Sequence, residues 1–252
     1  MDLSEQVVIV TGGNGGIGLG MAEGLVRAGA SVAVWARDER KSRDAVARLE
    51  ALAPGRPMLA VRCDVSDQAS VDEALAATVE GLGRLDACVA NAGMQHNKGF
   101  LDLTLDDWRR MMAVNLDGTF LTLQAAARHL VAQGEGGALV AVSSTSAIHG
   151  APTNAHYAAS KAAGLALVRS MAVALARYDI RVNAVLPGWT ATDMIEPATG
   201  NQKFVDATVR RTPVRRWAEP ADYAQIAAYL CDKSVGFHTG DSVVVDGGYT
   251  IF

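Results

Sequence analysis

The feature that most constrains the fold lies near the amino terminus, in the sequence VVIVTGGNGGIGLGMAEGL at Val7–Leu25. A short β-branched run is followed at once by closely spaced glycines and then by a helix-like segment. Glycines in such a turn let backbone N–H groups approach a pyrophosphate at the amino terminus of the helix. The stretch therefore predicts the first strand, phosphate-binding turn and helix of a dinucleotide-binding domain. The glycines fit two registers: Gly13, Gly15 and Gly18 as G-x-G-x-x-G, or Gly12, Gly16 and Gly18 as G-x-x-x-G-x-G.

Short apolar runs alternate with longer helical patterns along the rest of the chain. Strands are predicted at Val7–Val10, Ser31–Trp35, Met58–Cys63, Leu85–Ala90, Ala138–Ser143, Ile180–Leu186 and Ser242–Asp246. Helices are predicted near 17–28, 39–52, 67–82, 105–133, 156–177 and 219–231. Near-continuous apolar strands are typical of a parallel sheet covered on both faces, and the intervening helices imply right-handed βαβ units. We therefore expect an α/β Rossmann fold with a doubly wound, seven-stranded parallel sheet flanked by helices.

The domain organisation follows from what separates these elements. No linker rich in Pro, Gly or Ser and no repeat divides the sequence, so residues 1–252 are predicted to form a single dinucleotide-binding and catalytic domain. The 190–217 segment differs from the rest because it is long, polar and weakly periodic. In a compact domain a segment of this length is usually a lid or a binding loop. We expect it to be a substrate-binding lid within the domain.

The composition limits the classes of protein to consider. Half of the residues are apolar, which is enough for a sizeable core, and the formal net charge of −4 gives no electrostatic reason to expect nucleic acid. The start, MDLSEQVVIV, does not resemble a signal peptide, and no apolar run approaches the ~18 residues of a membrane span. Cys63, Cys88 and Cys231 have no metal-ligand spacing, so we expect buried free thiols and no metal. These patterns predict a cytoplasmic protein without a membrane partner.

The stretch HYAASK at His156–Lys161 contains the candidate chemistry. Tyr157 and Lys161 are four residues apart and would share one face of a helix. A phenol with an ordinary pKa of about 10 is a poor acid or base at neutral pH, but a nearby ammonium favours the phenolate and lowers that pKa. The preceding predicted strand ends at Ser143 and Ser144, so their hydroxyls would meet Tyr157 at the carboxyl edge of the sheet, where ligands bind in this architecture. The rival interpretation is an ordinary surface pair.

The end of the second predicted strand bears on the choice of nicotinamide cofactor. An NAD site usually has an acid about 20 residues after the glycines, where it binds the ribose 2′-OH. Here that position is Ala36, and Arg37 follows it. A small residue leaves room for a 2′-phosphate, and a guanidinium can bind it through two hydrogen bonds. NADP(H) is therefore favoured. NAD(H) is the alternative, with Asp38 as the ribose ligand or Arg37 as an ordinary helix-face charge.

Six motifs, in order along the chain, together resemble those of the short-chain dehydrogenase/reductase family. TGGNGGIG is similar to the family's T-G-x-x-x-G-x-G, which selects the Gly12, Gly16 and Gly18 register. Asn115 lies where the family has a catalytic asparagine on a helix. The other four are CDV at Cys63–Val65 for D-V, NAG at Asn91–Gly93 for N-A-G, YAASK for Y-x-x-x-K, and PGWTAT at Pro187–Thr192 for P-G-x-x-x-T. The resemblance covers essentially the whole chain.

The resemblance implies an NAD(P)-dependent oxidoreductase that transfers a hydride between the cofactor and a carbonyl or secondary alcohol. It implies that Tyr157 exchanges a proton with the substrate oxygen, while Lys161 lowers the tyrosine pKa and binds the nicotinamide ribose. Ser144 rather than Ser143 would orient the substrate, and Asn115 would hold a water in the proton relay to Lys161. The implied cofactor-binding residues are Gly12, Asn14, Gly16, Ile17, Gly18, Arg37, Asp64, Val65, Asn91, Ala92, Gly93, Tyr157, Lys161, Pro187, Gly188, Thr190 and Thr192.

The substrate is less constrained by the sequence. A small polyol, a sugar-type compound or another hydroxy or keto compound is favoured. Arg210–Arg216 could bind an acidic substrate, but solvated or structurally paired charge is the better interpretation. Several residues flank the catalytic candidates and could reach the site, although each alone is more often a loop or rim residue: Gln95, His96, His149, Asn154, His156 and Trp189.

Two alternative functions stay open. One is a 3-oxoacyl-thioester reductase of the same family. Glu135 and Tyr178 make it less favoured, because they stand where such members often carry basic residues. The other is a catalytically silent nucleotide-binding regulator, which would typically lack part of the Asn-Ser-Tyr-Lys set.

The predicted helices also indicate assembly. Leu105–Leu130 and Tyr157–Ala176 carry apolar or small residues on more than one face, and a monomer would expose one of these faces. The chain ends in DGGYTIF, which places apolar residues on a terminus that would otherwise fray into water. The family resemblance implies that both features meet two-fold partners, which predicts a homodimer at least and a homotetramer in full.

Overall fold

A computed structural model describes residues 1–195 and 200–252, and in these residues seven strands form one parallel sheet in the order β3-β2-β1-β4-β5-β6-β7. The strands are β1 (Val7–Thr11), β2 (Ser31–Ala36), β3 (Met58–Arg62), β4 (Ala87–Ala90), β5 (Gly137–Val142), β6 (Ile180–Pro187) and β7 (Ser242–Val245). The strand order reverses between β1 and β4. This switch point is where ligands bind in doubly wound sheets.

Helices cover both faces of the sheet. They are α1 (Gly16–Arg27), α2 (Glu39–Leu52), α3 (Gln68–Leu82), α4 (Leu105–Met112), α5 (Gly118–Gln133), α6 (Ala155–Leu175), α7 (Gln202–Arg211) and α8 (Ala224–Cys231). Alternate residues of β1 face opposite sides, as strand geometry requires. Ile9 packs in a core with Leu123 of α5, whereas Val8 packs in a second core with Leu25 of α1 and Leu230 of α8. The predicted doubly wound fold with seven parallel strands in a single domain is confirmed.

Several local predictions need correction. The helix predicted over 105–133 is interrupted, because α4 and α5 are joined by a π-helical turn at Ala113–Asp117. Strand β4 begins at Ala87 rather than at Leu85. The 190–217 segment contains a helix that its weak periodicity did not predict, namely α7. Residues 196–199 of that segment lie outside the described residues.

The longest apolar helix also differs from the sequence-based expectation. Ala155–Tyr178, which is α6 and its following turn, is long and apolar enough to cross a membrane by length and composition alone. It packs against β6 and α4 and contains the buried Lys161, and the core helix of a soluble protein meets the same test. Only 33% of its apolar window is buried, so much of the helix surface is left uncovered by residues 1–195 and 200–252.

The three cysteines are free and buried, as predicted. Burial raises the pKa of Cys63 to about 11 and that of Cys231 to about 12, so both thiols stay protonated near neutral pH. Within residues 1–195 and 200–252, no group of three or more His, Cys, Asp or Glu side chains could hold a metal ion.

Candidate active site

The turn after β1 has the backbone conformation that its glycines allow. Gly12 has a φ of 64° and Gly16 a φ of 51°, in the left-handed region that residues with a side chain rarely adopt. A Cβ on Gly18 would lie 2.4 Å from the Gly12 carbonyl oxygen, so helix α1 can approach the turn only with glycine there. Gly15, by contrast, is extended, with a φ of −177°. These constraints agree with the G-x-x-x-G-x-G register.

The ends of β1 and β4 are joined by hydrogen bonds at the switch point. The Thr11 hydroxyl accepts from the backbone N–H groups of Asn91 at 3.0 Å and Ala92 at 2.9 Å. The Asn91 amide donates to the Thr11 carbonyl at 2.9 Å and to the Gly12 carbonyl at 3.4 Å. These bonds fix the N-A-G segment beneath the glycine turn.

One end of the cleft lies beside the carboxyl ends of β2 and β3. The residues that line this adenosine-side cleft are Gly12, Asn14, Trp35, Ala36, Arg37, Asp38, Lys41, Cys63, Asp64, Val65, Ala92, Gly93 and Val114. Arg37 is 71% exposed at its side chain, and its guanidinium is 4.0 Å from the Asp64 carboxylate. The Asp38 carboxylate caps α2 by accepting from the Lys41 N–H at 2.9 Å, a bond that lowers the pKa of Asp38. Asp38 is therefore engaged in a helix cap. This role makes it a less favourable candidate for the ribose ligand that the NAD(H) interpretation requires.

Lys41 connects this end of the cleft to the 190–217 segment. Its Nζ is 2.8 Å from the carboxylate of Asp193, and this ammonium holds the pKa of Asp193 below its usual range. A Cβ built on Gly15 would lie 3.1 Å from the same Nζ, so the ion pair lies over the glycine turn. On the other side of the pair, the Thr192 methyl would be 3.3 Å from a Cβ on Gly16.

The other end of the cleft contains the candidate catalytic residues. Its lining residues are Ile17, Asn91, Gly93, Met94, Gln95, Val142, Ser143, Ser144, Thr145, Ser146, His149, Ala151, Asn154, Tyr157, Lys161, Pro187, Gly188, Trp189, Thr190, Thr192, Met194 and Ile195. Gly93 lines both ends, so the two clefts adjoin there. The Lys161 ammonium lies 5.8 Å from the centre of the Tyr157 ring. The structure therefore brings Ser144, Tyr157 and Lys161 together, as the sequence predicts.

The two adjacent serines have different surroundings. The Ser143 hydroxyl donates to the Lys161 carbonyl at 2.9 Å and so joins β5 to α6. The Ser144 hydroxyl accepts from the Ser146 N–H at 3.1 Å, and the Ser144 side chain is near enough to Tyr157 to oppose the rise in the pKa of that phenol. Ser143 is thus used within the fold, whereas Ser144 shares the cleft with the phenol.

The pKa values of Tyr157 and Lys161 correct one expectation. Burial raises the pKa of Tyr157, and the interaction with the Ser144 side chain opposes that shift only in part. Burial lowers the pKa of Lys161 to about 8. The sequence led us to expect that Lys161 lowers the tyrosine pKa, but in the protein alone the tyrosine pKa moves upward. The reason is that desolvation dominates at Tyr157, while the ammonium donates to the Val142 carbonyl at 2.9 Å.

Asn115 lies in the π-helical turn and binds the segment after β4. Its Oδ1 accepts from the Met94 N–H at 2.8 Å, and its Nδ2 donates to the Met94 carbonyl at 2.9 Å. A Cβ on Gly93 would lie 3.2 Å from that Oδ1 and 3.5 Å from the Lys161 Nζ. The bare glycine therefore leaves a small gap between the amide oxygen of Asn115 and the ammonium of Lys161.

The structure also separates the remaining sequence candidates. Gln95, His149, Asn154 and Trp189 line the cleft. Met94, Ser146 and Ala151 join them without having been predicted, and Met194 and Ile195 join them from the predicted 190–217 lid segment. Among the three residues that were not predicted, the nearness of Ser146 to Ser144 along the chain was the clearest signal in the sequence. His96 and His156 pack edge to face, with ring centres 5.9 Å apart, outside the lining. His156 is fully buried, and burial lowers its pKa.

The residues present fit a nicotinamide dinucleotide. The left-handed glycine turn leaves room for phosphates at the start of α1, and a cleft extends from it in each direction. The cleft beside Arg37 and Asp64 would hold the adenosine end. The cleft with Ser144, Tyr157 and Lys161 would hold the nicotinamide end together with a substrate.

Comparisons with known proteins agree with this geometry. A family model described as Enoyl-(Acyl carrier protein) reductase matches residues 12–250. L-rhamnose 1-dehydrogenase (NAD(P)(+)) from Sphingomonas sp. (strain SKA58) is 38% identical, and the match covers 98% of this chain and 96% of that protein. A short-chain type dehydrogenase/reductase from Mycobacterium marinum superposes with a TM-score of 0.93 at 35% identity, covering 99% of this chain and 97% of that one.

A third match comes from a solved complex. A gluconate 5-dehydrogenase from Burkholderia cenocepacia J2315, in complex with NADP and tartrate, superposes with a TM-score of 0.94 at 33% identity. That match covers 100% of this chain and 97% of the other. Family model, curated relative and solved structures thus match nearly the whole length of the chain. The chain belongs to the short-chain dehydrogenase/reductase family of NAD(P)-dependent oxidoreductases.

Proposed function

We propose that this protein interconverts a secondary alcohol and a carbonyl compound by Asn-Ser-Tyr-Lys catalysis, with NADP(H) as the favoured cofactor. The observation that carries this proposal is that Ser144, Tyr157 and Lys161 line one cleft, which adjoins a glycine turn suited to a dinucleotide. The bound nicotinamide supplies or accepts the hydride. The protein positions the substrate and moves the proton.

Each residue of the set has a distinct part in the proposed mechanism. Tyr157 gives a proton to the substrate oxygen during reduction and takes one during oxidation. Ser144 hydrogen-bonds the same oxygen and orients it. Lys161 binds the nicotinamide ribose, and its charge favours the phenolate once its ammonium is turned toward that ribose. Asn115 holds the Met94 backbone and faces the gap beside Gly93, where a water would continue the proton relay to Lys161.

The preference for NADP(H) rests on the end of β2. Ala36 leaves space beside the exposed Arg37 side chain, and Asp38 is occupied by the cap of α2. The relatives offer coarser support, because the L-rhamnose 1-dehydrogenase is described as using NAD(P)(+) and the gluconate 5-dehydrogenase was solved with NADP. A guanidinium next to a small residue favours a 2′-phosphate over a bare ribose.

The proposed function is tested by NADPH oxidation over a panel of carbonyl compounds, with NADH measured alongside. We expect NADPH consumption with at least one small ketone or aldehyde and a preference for NADPH over NADH. A protein that binds NADPH but oxidises it with no member of the panel, in either direction of the reaction, would contradict the catalytic assignment. That result would favour the silent nucleotide-binding regulator.

A second candidate is a reductase of acyl thioesters. The matching family model, described as Enoyl-(Acyl carrier protein) reductase, favours it. Against it, Glu135 is paired with Arg84, and Tyr178 follows the end of α6, at the places where a basic contact to a carrier would be expected. Adding a 3-oxoacyl thioester to the panel distinguishes the two candidates, since the second requires faster turnover of the thioester than of any small ketone.

We also propose a homotetramer in the cytoplasm. The helices α4 and α5 and the turn before them expose large apolar side chains, namely Phe100, Leu101, Leu105, Trp108 and Phe120. The carboxyl terminus exposes Ile251 and Phe252. Exposed apolar patches of this kind usually mark contacts with other chains. They support one two-fold contact through the helices and a second through the terminus.

A further inference from the structure

The substrate end of the cleft contains polar atoms that the protein leaves unpaired. Asn154 is only 7% exposed, and its Oδ1 has no hydrogen-bond partner. The Nδ1 of His149 is also buried and without a partner. Both residues line the cleft that contains Tyr157. Buried polar atoms are nearly always satisfied by protein, water or ligand. Resting on the function proposed above, we infer that the substrate is a neutral, polyhydroxylated compound of the sugar type, whose hydroxyl groups bind Asn154 and His149.

The position of Asn154 strengthens this inference. Asn154 is the N-cap residue of α6, and asparagine is among the preferred residues there because its side-chain oxygen accepts from the first helical turn. In α6 that side-chain bond is absent, although Asp38 and Thr104 cap α2 and α4 in the expected way. Asn154 therefore does not make the capping hydrogen bond that the backbone N–H groups in the first turn of α6 offer. Its oxygen is left for a partner in the cleft, three residues before Tyr157.

The chemistry of these atoms selects a hydroxyl group. A carboxamide oxygen accepts hydrogen bonds, so its partner must donate one. Ketone, ester and ether oxygens cannot donate, but a hydroxyl can both donate and accept, and it therefore suits Asn154 and either tautomer of His149. The reacting oxygen of the substrate is already engaged by Ser144 and Tyr157. The groups that meet Asn154 and His149 are then further hydroxyls of the same molecule.

The charges around the cleft favour a neutral substrate. Among the described residues that line the catalytic cleft, Lys161 is the only one with a charged side chain, and the proposed mechanism already uses it. Residues 196–199 include no lysine or arginine. The nearby Arg211 is stacked on the ring of Tyr249 at 4.4 Å and is not part of the lining. A carboxylate substrate would thus lack a cation to bind it.

An aromatic wall completes the site. The ring of Trp189 lines the cleft and is supported from behind by Phe204 at 5.0 Å and by Trp217 at 5.8 Å between ring centres. Phe204 lies on α7, so the 190–217 segment holds this wall in place. The C–H groups on one face of a sugar ring are apolar and pack well on an indole. Hydroxyl partners on one side and an aromatic face on the other suit a polyhydroxylated ring.

The reaction on such a substrate is balanced by the proposed cofactor. In oxidation, one C–H and one O–H bond break at a single hydroxyl-bearing carbon, and a C=O bond forms. The hydride passes to NADP⁺ and the proton to Tyr157, from which it leaves to solvent. The other hydroxyls are unchanged and serve only for binding.

The test compares three kinds of substrate with saturating NADP⁺: neutral aldoses (hexoses and 6-deoxyhexoses), gluconate, and cyclohexanol as a ring with a single hydroxyl. Wild type is measured beside Asn154→Leu and beside Asn97→Leu, which makes the same change on an exposed loop residue outside the cleft. We expect kcat/KM for the best aldose to exceed that for cyclohexanol by at least about 100-fold. Asn154→Leu should lower the aldose value about 10- to 100-fold, mainly through KM, and the cyclohexanol value less than about 3-fold. Asn97→Leu should change neither.

The outcomes separate this inference from the proposed function. Equal kcat/KM for cyclohexanol and the aldoses, or a higher value for gluconate, would overturn the inference while leaving the oxidoreductase function intact. An equal loss on all substrates in Asn154→Leu would also overturn it, since that is the result of a general distortion of α6. If none of these compounds is turned over, the proposed function is judged by the carbonyl panel described above, and the inference is judged by binding. A thermal shift of the NADPH complex by an aldose, present in wild type and lost in Asn154→Leu, would still support the binding site, and no shift would overturn it.

Discussion

The cofactor side and the substrate side of the cleft differ in how their polar groups are satisfied. On the cofactor side, Thr11, Asn91 and Asp38 are all hydrogen-bonded within the protein, and the glycine turn is fixed by its own backbone. On the substrate side, Asn154 and His149 have buried atoms without partners. The first set forms a scaffold that is complete before a ligand arrives. The second set has no such partners within the protein.

This difference separates two kinds of recognition. A dinucleotide is bound by shape and by backbone groups, so the residues that shape its site can be satisfied by one another. A substrate is distinguished by its functional groups, and discrimination is strongest where a wrong ligand leaves a buried polar group unpaired. Four variants test this difference, from the largest expected effect to the smallest. Two change one side of the cleft each, one changes Lys161 where the two sides meet, and one changes neither side.

Tyr157→Phe should impair catalysis on the substrate side and leave cofactor binding unchanged. The change removes the transferable proton and leaves the ring, so we expect carbonyl reduction to fall by about 10²- to 10⁴-fold while NADPH binding is unchanged. Steady-state kinetics and NADPH fluorescence titration measure the two effects. The matched control is Tyr178→Phe, at a half-exposed tyrosine beyond the end of α6. Near-normal turnover in Tyr157→Phe would show that the phenol is not the acid.

Lys161 lies where the two sides meet, and its burial predicts a pH-dependent stability. Its pKa is about 8 in the folded protein against an ordinary value of 10.5. Between these two pH values the unfolded chain binds more protons than the folded one, so the free energy of unfolding should rise with pH. The full rise corresponds to roughly 3 kcal/mol. Below pH 8 the buried ammonium is a cost that Lys161→Met would remove.

The measurement for Lys161 is urea unfolding of wild type and Lys161→Met from pH 7 to 10, without cofactor. Other groups titrate equally in both proteins, so the difference between them isolates Lys161. We expect Lys161→Met to be the more stable protein at pH 7 and its advantage to shrink towards pH 10. Parallel pH profiles would contradict the lowered pKa. The variant should also lose both turnover and cofactor affinity, because the proposed ribose contact is gone.

Arg37→Ala should weaken binding on the cofactor side alone, and only the binding of NADPH. If the guanidinium binds the 2′-phosphate, the variant should lose about 1.5–3 kcal/mol of NADPH binding and little NADH binding. Calorimetry with both cofactors measures this difference. Arg40→Ala provides the control, since Arg40 is an exposed arginine on α2 that pairs with Asp44. Equal losses for both cofactors would remove the phosphate contact from the proposal, and a wild-type preference for NADH would reverse it.

Removing the last two residues should touch neither side of the cleft. Ile251 and Phe252 are largely exposed, whereas Tyr249, just before them, packs near Trp189 and His149 and must be kept. We expect light scattering to give a tetramer for wild type and a dimer for the shortened chain, with little change in turnover per active site. A wild-type mass near the 26.4 kDa of one chain would contradict the proposed assembly.

The elements whose patterns are local were predictable from the sequence. The apolar strands, the glycine turn and the Tyr157–Lys161 spacing on α6 all have the expected form. The π-helical turn around Asn115 was not predictable, because the surrounding residues suit an unbroken α-helix. Its geometry is linked to a tertiary contact, the two hydrogen bonds between the Asn115 side chain and the Met94 backbone.

Other features of the site depend on where side chains point. An asparagine at a helix start, such as Asn154, is expected to cap the helix. Only the structure reveals that its oxygen is unpaired. The upward shift of the Tyr157 pKa was likewise hidden, since spacing indicates a nearby ammonium but not the desolvation of both groups. Trp189 acquires its place as an aromatic wall through Phe204 and Trp217, which are distant from it along the chain.

The ion pair between Lys41 and Asp193 has a consequence for the timing of the reaction cycle. It lies over the glycine turn and joins α2 to the chain that follows Thr192, so we expect a dinucleotide entering or leaving that turn to part the two side chains. Both are exposed to solvent, and the attraction between such charges weakens as ionic strength rises. Cofactor release should therefore quicken with added salt. Wherever release limits turnover, the steady-state rate should rise with it.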